Sequence, residues 1–179
     1  MDTKALQIEP DEKLVPIMLY TQQKLIWGKL ITKKVIRVSK LLQMDMAPKC
    51  LDLVEAQAIL FGAGSETKSL KFEALHVDID QIIAYHILPP EDESPYYEEH
   101  EENRIMEPVI AIVGIFQFNG FLRIAEQSDI KSYLGVQKGT YLPIYDSKMT
   151  CPLIPKIKGL QSPYTLVDQR VTIFSETGH

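Results

Sequence analysis

The feature that most constrains this chain is its resemblance to itself. Laid down without a gap, VPIMLYTQQKLIWGKLITKKVIRVSKLL (15–42) runs over EPVIAIVGIFQFNGFLRIAEQSDIKSYL (107–134). Pro16 then falls on Pro108, Gly28 on Gly120, Leu30 on Leu122 and Leu42 on Leu134, an offset of 108 − 16 = 92. Further on, CLDLVEA (50–56) matches YLPIYDS (141–147) at 141 − 50 = 91. HVDIDQIIAYH (76–86) matches YTLVDQRVTIF (164–174) at 164 − 76 = 88, which lays Asp80 and Gln81 on Asp168 and Gln169. Self-similarity in one order, with small deletions between blocks, is how a duplicated unit reads, because loops tolerate changes in length. The expected organisation is an N-terminal tail (1–13), a first β-rich unit (14–88), an acidic flexible linker (89–106) and a second β-rich unit (107–176).

Each unit reads the same way locally. Val15, Ile17 and Leu19 alternate as in a strand with one buried face, whereas Ile110-Ala111-Ile112-Val113 is continuously apolar, as for a strand covered on both faces. A second strand follows, with Leu25, Trp27 and Ile31 on one face and Ile26 and Leu30 on the other. A short helix comes next. In the second copy Ser128 is placed to cap it, Ile130, Tyr133 and Leu134 are spaced i, i+3, i+4, and Gly135 sits where a C′ glycine belongs. Val38, Leu41 and Leu42 take the matching positions in the first copy, so the repeat predicts a helix in a stretch whose β-branched residues favour a strand. Closing strands are expected at about 50–61 with 70–88, and at about 139–147 with 164–175. Asn119-Gly120 alone would predict a hairpin turn, but its partner is Trp27-Gly28. The pair agrees if the glycine marks a bulge within the second strand, with turns at Gln22-Gln23 and Gly114. The expected fold is mainly β (α+β): two pseudo-repeated small barrel-like or sheet units, each with one short helix.

The second copy resembles a family of bacterial domains with no assigned activity. In these a short S-D-x-x-x-x-L helix precedes an F/Y-L-P-L-x-D-A strand and a closing L-V-N/D strand. Ser128-Asp129 to Leu134, Tyr141-Leu142-Pro143-Ile144-Tyr145-Asp146-Ser147 and Leu166-Val167-Asp168 carry the pattern here. The first copy keeps Leu51, Leu53 and Val54 but lacks the Ser-Asp pair. At the level of fold, the glycine-bearing strand pair is similar to Sm-like and SH3-like small barrels. Neither resemblance implies an activity.

Charge separates the parts. Residues 1–90 hold 11 basic and 11 acidic residues, and 108–179 hold seven basic and five acidic. Residues 91–107 hold Arg104 against eight acids, so the net −5 belongs to the linker. Neither unit has the basic balance of a dedicated nucleic-acid binder. No apolar run approaches the ~20 residues of a membrane span, and the charged start is no signal peptide, so a cytoplasmic protein without membrane contact is expected. Cys50 and Cys151 fall at unrelated places and read as reduced thiols in or near the core.

His76, Asp78 and Asp80 alternate on one strand face and could converge on a metal, but Val77 and Ile79 between them fit a core face, with the polar three in water. His86 reads as a satisfied strand residue, and His100 in EEHEE lacks a second fixed ligand. Asp80-Gln81 and Asp168-Gln169 suggest a shared structural role, a side chain tying down a bend. Lys24, Lys29, Lys33, Lys34, Arg37 and Lys40 lie in 14–44, a stretch without an acid, and could meet solvent, the acidic linker or an external anion. No phosphate loop, dinucleotide fingerprint, zincin helix or nucleophile elbow appears, so no residue is nominated for catalysis, a cofactor or a metal. The functional expectation is a non-catalytic binding or assembly module whose partner is another protein or a second copy. The alternative is an Sm-like anion or nucleic-acid binder using the lysine-rich segment.

Overall fold

A computed structural model describes residues 8–43, 47–62, 67–91, 93, 97, 102–155, 157 and 159–176. His100 lies outside them. The described chain forms ten strands, β1 (Glu12–Thr21), β2 (Lys24–Lys33), β3 (Cys50–Phe61), β4 (Thr67–Asp78), β5 (Ala84–Ile87), β6 (Arg104–Val113), β7 (Phe116–Ala125), β8 (Tyr141–Thr150), β9 (Leu160–Asp168) and β10 (Thr172–Glu176). Two helices, α1 (Val38–Leu41) and α2 (Ile130–Val136), follow β2 and β7. All ten strands belong to one antiparallel sheet in the order β10-β6-β7-β8-β9-β5-β1-β2-β3-β4. The fold is therefore mainly β, as the alternation and β-branched content predict.

The closing strands differ from expectation. The expected strand 70–88 is two strands, β4 and β5, parted by a 3-10 turn at Ile79–Gln81, and the expected 164–175 is likewise split into β9 and β10. The cause is an aspartate that bonds the backbone two residues on. Asp78 Oδ1 accepts from the Asp80 N–H at 3.0 Å, and Asp168 Oδ1 accepts from the Arg170 N–H at 3.0 Å. Such a side chain offers the backbone an alternative to the ladder and turns the chain.

The pairing registers of the first and last five strands run in parallel. Trp27 faces Gln57 and Asn119 faces Lys148; Lys29 faces Val54 and Phe121 faces Tyr145. Ala56 faces Phe72 and Ser147 faces Ser162; Leu19 faces Tyr85 and Ala111 faces Phe174. The shifts are 119 − 27 = 92, 148 − 57 = 91, 162 − 72 = 90 and 174 − 85 = 89. On this register the residue corresponding to Asp168 is Asp78, not Asp80, which corrects the offset of 88 read from the sequence.

Both glycines sit inside strands, and the turns fall at Gln22-Gln23 and Gly114-Ile115. The ladder shifts at each glycine, between Trp27 and Lys29 and between Asn119 and Phe121. The extra residue is on the neighbouring strand rather than on the glycine's own. Glu55-Ala56 oppose Gly28, Asp146-Ser147 oppose Gly120, and Glu55 and Asp146 take positive φ (49° and 47°). Two residues against one bend the bulged strand and sharpen its twist.

The helices need smaller corrections. Val38, Leu41 and Leu42 are buried in one apolar cluster, although α1 spans only four residues. In α2 the cap is Asp129 rather than Ser128: its carboxylate accepts from the Ser132 N–H at 2.6 Å, while the Ser128 hydroxyl bonds the Asp129 carbonyl. The charged acceptor is the stronger cap, and that bond holds the Asp129 carboxyl below the usual carboxylate range. Gly135 is inside α2, which ends at Val136. Ile112 is 39% exposed, so β6 is covered on one face only. Cys151 is buried, but Cys50 is exposed, and both are free thiols.

Candidate functional site

Where the first five strands meet the last five, β5 pairs with β9. Ala84 lies opposite Val167 and Tyr85 opposite Leu166. Backbone bonds run on past the ladder: the Asp168 N–H donates to the Ile83 carbonyl at 2.9 Å. The Tyr141 hydroxyl donates to the Ile82 carbonyl at 2.8 Å, and the Tyr85 hydroxyl to the Ser39 carbonyl at 3.0 Å. Burial raises the pKa of Tyr141, Tyr145 and Tyr164 alike.

Both apolar clusters cross this seam. One joins Val15, Ile17, Leu30, Leu53 and α1 to Tyr141, Tyr145, Tyr164 and Leu166; the other joins Val109, Phe116, Phe118 and Leu142 to Met18, Tyr20, Ile83 and Ala84. Side chains pointing away from their own set of strands are thus buried against the other set. At roughly 25 cal/mol per Å2 of apolar surface, several large side chains removed from water on each side make this junction part of the core. The Tyr145 and Tyr164 contributions were not legible as core in the sequence. The available signal was apolar residues at both phases of β8 and β9: Tyr141 and Leu142, Leu166 and Val167.

Along the sheet, β4 and β10 are the end strands. At the β10 end Ile173 is 66% exposed, and its ladder neighbour is the exposed Ile112. At the β4 end Val77 is buried, beside the half-buried Leu75 and Phe72.

Four of the basic residues singled out from the sequence, Lys29, Lys33, Lys34 and Arg37, meet partners within the chain. Lys33 meets Glu9 at 2.6 Å, Asp11 at 3.0 Å and Glu12 at 3.4 Å, which raises its pKa. Lys34 donates to the Pro10 carbonyl at 2.8 Å, and Lys29 pairs with Glu55 at 2.6 Å, the bulge residue opposite Gly28. Arg37 lies 3.9 Å from Glu93 of the acidic run; Lys24 is half-buried at the start of β2, and Lys40 is exposed on α1. His76 Nδ1 lies 2.6 Å from Asp52 Oδ1, across the β3–β4 ladder. Among the described residues no three His, Cys, Asp or Glu side chains come together as a metal would require. No helix among them is long and apolar enough to cross a membrane.

Of the two Asp-Gln pairs, the second is the more tied. The Asp168 carboxylate is buried and takes the Arg170 guanidinium as a fork (3.0 and 2.7 Å), while its carbonyl accepts from the Thr172 hydroxyl at 2.6 Å. The Gln169 amide donates to the Gly139 carbonyl. Asp80 and Gln81 are exposed in the 3-10 turn. The Asp168 carboxylate is buried but the Arg170 guanidinium is 66% exposed and water can take the acceptor's place there, so Asp168→Ala, which also loses the bond from the Arg170 N–H, is expected to lower stability by about 1.5 kcal/mol. Asp78→Ala loses only a turn cap and should cost about 0.5 kcal/mol. Urea midpoints of the two variants check this, and equal shifts would show that the guanidinium fork adds nothing.

A cleft of about 470 Å3 opens beside the second bulge, lined by Asp146, Ser147, Gln161, Ser162 and Pro163. A smaller one of about 290 Å3 lies at the matching positions, lined by Glu55, Ala56, Gln57, Lys71, Phe72 and Glu73. The hydroxyls of the larger cleft are engaged, Ser147 with Thr165 at 2.5 Å and Ser162 with the Tyr164 carbonyl at 2.7 Å. Comparison of the chain with known protein families, with characterised proteins and with solved structures finds no match.

Proposed function

We propose that residues 14–88 and 107–176 are copies of one β-rich unit and that the chain is a non-catalytic assembly module whose partner is a second copy of itself. The duplication is supported by the parallel registers, by the two glycine–bulge pairs, and by aspartates that end β4 and β9 in the same way.

The observation that carries the assembly reading is the β5–β9 seam. There the fourth strand of one unit pairs with the fifth strand of the other. The free ends are the remaining fourth strand, β4, and the remaining fifth strand, β10. An unpaired edge is a template for another chain. By the register shifts, Val77 takes the place of Val167 (167 − 90) and Ile173 that of Ala84 (84 + 89), so Val77 of one copy would lie opposite Ile173 of the next. Ile112 and Ile173 would then cover Leu75 and Phe72, which the single chain leaves half-buried. Such a contact is head-to-tail, so it closes into a ring or runs on as a filament.

Light scattering at rising concentration should give a multiple of the monomer mass, and Ile173→Asp should return a folded monomer. A strict monomer at high concentration for the unaltered chain would overturn the reading. An external anion over Lys24–Lys40 would have to displace the acids that already hold Lys29, Lys33 and Arg37, and that reading is not adopted.

A further inference from the structure

The side chains by which the second unit closes the seam have counterparts in the first, and the two sets differ in kind. Tyr141, Tyr145, Tyr164 and Leu166 are buried in the cluster built mostly by β1–β5, and none is more than 6% exposed. Along β8 and β9, Tyr141 lies opposite Asp168, Pro143 opposite Leu166 and Tyr145 opposite Tyr164. Along β3 and β4, Cys50 lies opposite Asp78, Asp52 opposite His76 and Val54 opposite Ala74. Shifts of 141 − 50 = 91 and 166 − 76 = 90 superpose the two ladders pair for pair. Cys50, Val54, Ala74 and His76 therefore hold the places of the four seam residues.

Three tyrosines and a leucine are thus matched by a thiol, a valine, an alanine and a histidine. Cys50, Asp52, Ala74 and His76 are exposed, and Val54 is half-buried. Within this strip His76 Nδ1 meets Asp52 Oδ1 at 2.6 Å, with side chains 67% and 51% exposed. An ion pair in water adds little to the stability of the chain that carries it. Covered by a second chain, the same pair loses its water, and its mutual attraction need not repay that loss. Charged side chains at a strand edge are one means by which edge pairing is held in check.

We propose that the Asp52–His76 pair is the determinant that limits self-association of this chain. The inference rests on the head-to-tail contact described above, in which β10 of one copy pairs with β4 of the next. There His76 takes the place of Leu166, and Phe174 takes that of Tyr85 (85 + 89), so the pair is covered as the contact forms. The contact between copies is weaker than the seam it repeats, and the polar strip sets its strength.

Light scattering over a concentration series compares the unaltered chain with an Asp52→Val, His76→Leu variant. The variant is expected to assemble at about tenfold lower concentration, since no charged pair has to give up its water. His76→Leu alone should gain little, because the carboxylate then enters the contact without its cation. Ile173→Asp added to the double variant should restore the monomer, which separates this contact from general stickiness of an apolar surface. A melting curve shows that each variant is folded, and a neutral but polar Asp52→Asn, His76→Gln variant should move in the same direction as the apolar one. Equal midpoints, an equal gain from His76→Leu alone, or association that ignores Ile173→Asp overturns the inference and leaves self-assembly standing. A strictly monomeric unaltered chain beside a variant that assembles through Ile173 overturns self-assembly and shows the pair to be the barrier. If neither chain assembles, both fail.

Discussion

Gly120→Ala is expected to destabilise the protein by about 3 kcal/mol, whereas Gly28→Ala should stay within about 1 kcal/mol. The two glycines hold corresponding places, so composition and strand propensity predict the same cost for both. What differs is the neighbour. A β-carbon at Gly120 would stand 2.5 Å from the Tyr145 carbonyl oxygen and 2.7 Å from Ile144 Cγ2, in a strand whose Ile144 is fully buried. The obstacle is backbone at a bulge, which cannot move without breaking the ladder. Overpacking of this sort costs 1–3 kcal/mol. At Gly28 the nearest atoms are those of Ala56, at 3.1 Å, so a shift of a few tenths of an ångström suffices. Part of that cost is offset because alanine restricts the unfolded chain. Equilibrium urea unfolding measures both, and equal midpoints would show that the tight approach at Gly120 relaxes freely.

The same bulges show how far the sequence could be read. A glycine in the middle of an apolar run, at Gly28 as at Gly120, argues against a turn at Asn119-Gly120. That the extra residue belongs to β3 and β8 was not legible, because Glu55 and Asp146 look like ordinary outward-facing acids. The split of the closing strands is hidden for a related reason. Asp78 and Asp168 fit the polar phase of a strand, and only the bond from each to the N–H two residues on ends it. Identity of the Asp-Gln pairs then favoured an offset of 88, because matching letters outweighed a register that only ladder pairing reveals. The seam was hidden by the assumption that a strand has one buried face. Tyr145 and Tyr164 are buried in a cluster built mostly by β1–β5 rather than by the neighbouring strands β6–β10, so alternation within the strand carries no sign of it. Conversely, Ile110 to Val113 is apolar throughout yet leaves Ile112 exposed, near the end of the sheet that β10 closes among the described residues.

Lowering the pH from 7 to 4 is expected to cost about 3 kcal/mol through His86 alone. The ring is 2% exposed, faces Met18 across the β1–β5 ladder, and lies 3.3 Å by Nδ1 from the Tyr20 hydroxyl. With that hydroxyl donating to Nδ1, the ring proton sits on Nε2, which is buried without a partner among the described residues. Burial lowers the His86 pKa from 6.5 to about 4 and raises that of Tyr20. The folded chain therefore refuses a proton that the unfolded chain accepts near pH 6.5. Stability is complete above that pH and falls as the medium is acidified, until the folded ring also titrates near pH 4. The fall from 6.5 to about 4 sets a limit of about 3.4 kcal/mol, of which about 3 is lost by pH 4, where the folded ring is itself half-protonated. Carboxylates such as Asp129 contribute in the lower part of the same range, so the control is a Tyr20→Phe, His86→Leu variant. It removes the titrating ring and the hydroxyl that would otherwise be left buried and unpaired. Urea midpoints at pH 7 and pH 4.5 should fall much less for this variant than for the unaltered chain. Equal falls would mean that the ring is protonated in the folded state, and that the seam side of β5 is wetter than its 2% exposure implies.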